Sequence, residues 1–142
     1  MSLHPHVFDT FYDHVTQTAA QLEEIGADLY ALESFISLSQ DNSDLKLYQS
    51  HCQRLEATIY TLHEKIGSWQ HQARHSRSHL PTQKYNTQAF QLDEALMLVD
   101  GYLLNLCQYE EKIMRLHQMI LDQKAGFTLP QEMLNDEAPE LA

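Results

Sequence analysis

Apolar residues recur at alternating steps of three and four along most of the chain, and this spacing constrains the fold more than any other feature. The first run is Phe8, Phe11, Val15, Leu22, Ile25, Leu29, Leu32 and Ile36, with Thr18 as its one interruption. The second, Leu45, Tyr48, Cys52, Leu55, Ile59, Leu62, Ile66, Trp69 and Ala73, is unbroken. The third is Leu92, Ala95, Val99, Tyr102, Leu106, Tyr109, Ile113, Leu116 and Ile120. A mean step of 3.5 keeps each set on one seam of an α-helix. The expectation is an all-α fold: an elongated antiparallel up-down-up three-helix bundle with long heptad-patterned helices and a short C-terminal tail. The helices fall at about 5–39, 43–78 and 83–124. Residues 1–125 then form the bundle, and 126–142 an acidic tail or short docking segment.

The breaks between the runs have local causes. In "SQDNSD", Asn42 or Ser43 suits an N-cap and Asp44 suits the first turn. Pro81 in "SHLPTQ" cannot continue a helix and restrains the residue before it. Lys124 followed by Gly126 reads as a last turn and its cap. Gly26, Gly67 and Gly101 lie inside the helices, where each costs roughly 1 kcal/mol relative to Ala. They read as sites of close helix approach or simple tolerance, with a hinge as the sharper alternative.

The charge balance narrows the partners. Nine Lys and Arg against twenty acids, a net −11, leave little with which to neutralise nucleic-acid phosphates or an anionic membrane. No apolar run approaches the roughly 18 residues of a membrane span. The N-terminal stretch "MSLHPHVFDTFYDH" lacks the pattern of a secretory signal, and two cysteines make no disulfide framework, so a cytoplasmic protein is expected. An acidic surface suits solubility or docking to a basic partner.

Catalytic signatures are missing. There is no Gly-rich phosphate loop, no GxSxG and no HExxH. Glu23 with Glu24, and Glu110 with Glu111, are adjacent and point to different helix faces. Glu110 stands seven residues before His117, not at the Glu-x-x-His spacing of a carboxylate-bridged metal centre. Cys52 and Cys107 have no activating neighbour in sequence. The chain is expected not to be an enzyme, with no catalytic residue and no cofactor.

The stretch "HEKIGSWQHQARHSRSH", His63 to His79, concentrates the histidines. Antiparallel folding about a turn near residue 40 sets residue i of the first helix beside 81 − i of the second. His4, His6, His14, His71, His75 and His79 then gather at one end. His71, His75 and His79, with His6 across from them, are candidate metal ligands, since zinc takes three or four at about 2.0–2.1 Å. A pH-responsive contact is a second reading of the same group. A solvated helix end is the third, and it is favoured by Arg74 and Arg77 among the histidines.

Within that stretch "HEKIGS" resembles the His-x-x-Lys-Gly-Ser core of histidine phosphotransfer domains, which are small acidic helical bundles. The resemblance implies His63 as a phosphate carrier. It departs at Lys65, which follows His63 by two residues, with Ile66 in the lysine's place.

The leading functional expectation rests on excess apolar surface. In "ALMLVDGYLLNL", Leu96, Leu98, Leu103 and Leu104 add to the seam and make the third helix apolar on more than one face. Phe127, Leu129, Met133 and Leu134 punctuate the acidic tail as a docking element would. These residues point to a non-enzymatic protein–protein interaction module: an adaptor, assembly subunit or secretion-chaperone-like protein, binding another protein or itself as a homodimer. In general outline the chain is similar to small acidic export chaperones of bacterial flagellar and type III secretion systems, and equally to spectrin-like or tethering-complex bundles.

Overall fold

The computed structural model describes the backbone of residues 5–79 and 87–141, and the side chains of 11–79 and 89–127. Three helices account for them: α1 (Pro5–Leu38), α2 (Asn42–Ser78) and α3 (Thr87–Leu141). The described residues contain no strand. At 1.5 Å per residue, α1 and α2 are each roughly 50–55 Å long.

Pairs of contacts fix the directions. Phe35 stacks on Tyr48 and His14 on Trp69, with ring centroids 5.8 and 6.0 Å apart, so α2 runs back along α1. His63 meets Glu110 and Glu56 meets His117, so α3 turns back along α2. Tyr109 reaches Leu22 and Gln123 reaches Ile36, so α1 and α3 run the same way. The bundle is up-down-up.

The expected seams are its core. Val15, Leu29, Ile36, Leu45, Ile59, Ile66, Val99, Leu106 and Leu116 are each at most 1 % exposed. Thr18, the interruption in the first seam, is buried as well, and its hydroxyl donates to the His14 carbonyl at 2.8 Å. That bond satisfies the one polar group the seam admits.

Three details differ from the sequence reading. The N-cap of α2 is Asp41, whose carboxylate accepts from the Asp44 amide at 2.9 Å. A carboxylate there serves both as acceptor and as countercharge to the helix dipole. His14 lies against Trp69 instead of level with Gly67, because α2 begins at Asn42 and the turn is centred slightly later than residue 40. The third difference is larger: α3 does not stop at 124 but continues to Leu141, taking most of the 126–142 tail with it. A terminating glycine does so by adopting positive φ. None of the glycines does, so the backbone at Gly126 stays right-handed and the helical ladder is free to continue.

Candidate functional site

On α3 the extra leucines are divided by packing. Leu98 and Leu103 pack against the main core, and Leu96 packs against the smaller cluster of Ala73, Ala89 and Leu92. All three are half-buried. Leu104 is 62 % exposed, and its companions on the surface are Phe90 at 71 % and Met97 at 75 %. These three are spaced by sevens, which sets them in one row along the side of α3 facing away from the seam. Gly101 lies in the same row, and a Cβ added to it would meet nothing within 4 Å. Of the four leucines, Leu104 alone is largely exposed. The two neighbouring helices cover Leu96, Leu98 and Leu103 in part, while the outer row stays open; Met114 at 72 % and Leu121 at 57 % are exposed on a separate row. Phe90 and Met97 escaped the sequence reading, although their heptad spacing to Leu104 was the available signal. Phe127 is half-buried against the core, while the side chains of Leu129, Met133 and Leu134 lie outside the described residues.

At the histidine-rich end of α2, His71, His75 and His79 are exposed. The His79 Nδ1 donates to the His75 carbonyl at 2.8 Å, and the two rings are 4.4 Å apart. Among the described residues no group of three or more His, Cys, Asp or Glu is placed to hold a metal ion. The His6 side chain is outside the described set. The neighbouring cations are occupied by α3: the Arg77 Nε is 2.9 Å from Asp93, and Arg74 is 3.7 Å from Asp100. Acids distant in sequence thus neutralise residues 71–79, which include no acid of their own.

The seam between α2 and α3 carries an arrangement that spacing alone did not announce. "EATIYTLH" at 56–63 and "EEKIMRLH" at 110–117 share a pattern of Glu, Ile, Leu and His at equal intervals. Because the helices are antiparallel, the two octets lie head to tail and pair reciprocally. His63 Nδ1 is 2.8 Å from Glu110, and His117 Nε2 is 3.0 Å from Glu56. Between the pairs lies an open groove of about 340 Å³ lined by Ile59, Tyr60, Ile113 and Met114. Tyr60 donates to the Glu64 carboxylate at 3.0 Å, and that hydrogen bond raises the phenol's pKa. Lys65 sits over the Trp69 ring, 5.2 Å from its centroid, and so is committed to that ring.

The cysteines differ sharply. Cys52 is buried, and burial with the nearby Glu56 carboxylate pushes its thiol up to about 11. Cys107 is exposed. A thiol held protonated in a core is a packing group, not a nucleophile.

Comparison with protein-family models, with characterised proteins and with solved structures gives no match. No helix among the described residues is long and apolar enough to cross a membrane.

Proposed function

We propose that the protein is a non-enzymatic interaction module that docks another protein through the outer row of α3. One observation supports this reading above the others: Phe90, Met97 and Leu104 stand in line, largely exposed, on a helix whose opposite side is fully used by the core. Apolar side chains aligned at heptad spacing are what a partner helix packs against. A stable protein interface buries about 800 Å² on each side. Three side chains supply only part of that, so the row is the anchor of a larger contact. An adaptor, assembly subunit or secretion-chaperone-like role fits, with a homodimer as the competing occupant.

The test compares wild type with Met97→Glu and Leu104→Glu. Both substitutions fall on exposed positions, so helicity and melting temperature are expected to hold while capture of the wild-type partner is lost. Mass in solution separates self-association from a foreign partner. Variants that fold and retain every wild-type contact would remove the α3 row as the interface. A phosphotransfer role for His63 has a separate test, labelling by phosphorylated receiver domains; the commitment of Lys65 to Trp69 does not favour it.

A further inference from the structure

We infer that α1 carries a second docking surface, distinct from the α3 row, whose occupant is a cationic amphipathic helix. No Lys or Arg occurs before Lys46, so α1 is a helix of acids and neutral residues only. Among the described residues Asp13, Glu23, Glu24 and Asp28 are exposed and pair with no Lys, Arg or His; the one ion pair that reaches α1 is Glu33 with Lys112. Glu24 and Asp28, four apart, repel one another along the helix.

Apolar surface lies beside these acids, C-terminal to them on the outward side of α1. Tyr30 is 74 % exposed and Leu38 76 %. With Ser34, Ser37 and Glu33 they line a shallow depression of about 430 Å³. At 100° per residue, Glu23, Tyr30, Ser34 and Leu38 fall on the outward side of α1, with Glu24 and Asp28 along one edge. Two large apolar groups, with the unpaired Glu23 one heptad before Tyr30 and Glu24 and Asp28 along one edge, fit a helix that presents leucine-like residues at heptad spacing and lysine or arginine on one flank. Charge excludes the obvious alternatives. A second copy would bring the same acids face to face, and an anionic membrane would be repelled.

The probe is a synthetic peptide roughly three heptads long, with leucines at the a and d positions and lysines on the flanks. Calorimetric titration of the full chain at physiological ionic strength is expected to show saturable one-to-one binding that weakens as salt is raised. Glu24→Gln with Asp28→Gln, and separately Tyr30→Ser with Leu38→Ser, should each weaken binding by about tenfold or more. Glu94→Gln with Glu111→Gln, an equal charge change on α3, should leave it nearly unchanged. So should Met97→Glu, which keeps this test independent of the α3 reading. In the unsubstituted protein, amide shifts on adding peptide should concentrate between Glu23 and Leu38, so the result does not hang on any variant folding. The inference is overturned by absent binding, by equal loss from the α3 charge control, by indifference to Tyr30→Ser with Leu38→Ser, or by shifts centred elsewhere. A dimer formed through α1 overturns it too.

Discussion

The phenol oxygen of Tyr109 stands 2.8 Å from the point a Cβ on Gly26 would occupy, and it donates to the Leu22 carbonyl at 3.1 Å. The glycine is what lets α3 place that hydroxyl against the backbone of α1. Gly67 and Gly101 have no such neighbour within 4 Å. Gly67→Ala and Gly101→Ala are therefore expected to stabilise by up to about 1 kcal/mol each, the helix-propensity gain alone. Gly26→Ala should gain less or lose, because the hydroxyl must leave its acceptor, worth about 1 kcal/mol. The deficit should vanish in a Tyr109→Phe background. Urea unfolding of the single and double variants measures all of it.

Thiol chemistry tests the core. With Cys52 buried and raised to about 11, and Cys107 exposed, a thiol reagent at pH 8 should label one site per folded chain and two in denaturant. Fast labelling of both thiols in the native state would show that the second seam is not closed around Cys52.

The reciprocal pairs on α2 and α3 are open to solvent: His63 and Glu110 side chains are 40 and 46 % exposed. A double-mutant cycle on His63→Ala and Glu110→Ala should return a coupling of only about 0.2–1 kcal/mol, as should the His117 and Glu56 cycle. By contrast, Leu106→Ala in the buried seam should cost about 2–5 kcal/mol.

Glu33 has its pKa lowered from 4.5, first by the hydrogen bond from Lys112 and then by that residue's charge. A carboxyl lowered on folding stabilises above its unfolded pKa, and loses that contribution as pH falls through its folded value. Lys112→Met should thus lower the urea midpoint at pH 7, and the gap from wild type should close in acid. A gap that is unchanged at pH 3 would mean the ammonium stabilises by packing its stem instead.

How much of this could be read beforehand varies with the kind of interaction. The seams were legible because a 3.5-residue period depends only on local geometry, and Thr18 was visible as the polar step that breaks it. Helix ends were less so: Asp41 and Asn42 cap equally well on paper, and Gly126 permits an end without requiring one. The exposed row was misplaced because Leu96, Leu98 and Leu103 look free until two neighbours close on α3. Cross-helix partners such as Arg77 with Asp93 were hidden, since they depend on a register that no single helix encodes.

That register has an inherent weakness, and the paired octets address it. Two zippers with the same repeat can slide by one full heptad and still bury leucine against leucine. Sliding α3 by seven residues in one direction would set His63 beside His117; in the other it would set Glu56 beside Glu110. Either misalignment exchanges two unlike couples for a meeting of like groups. The head-to-tail octets thus act as an alignment key, modest in strength but selective between frames that the greasy seam alone cannot tell apart.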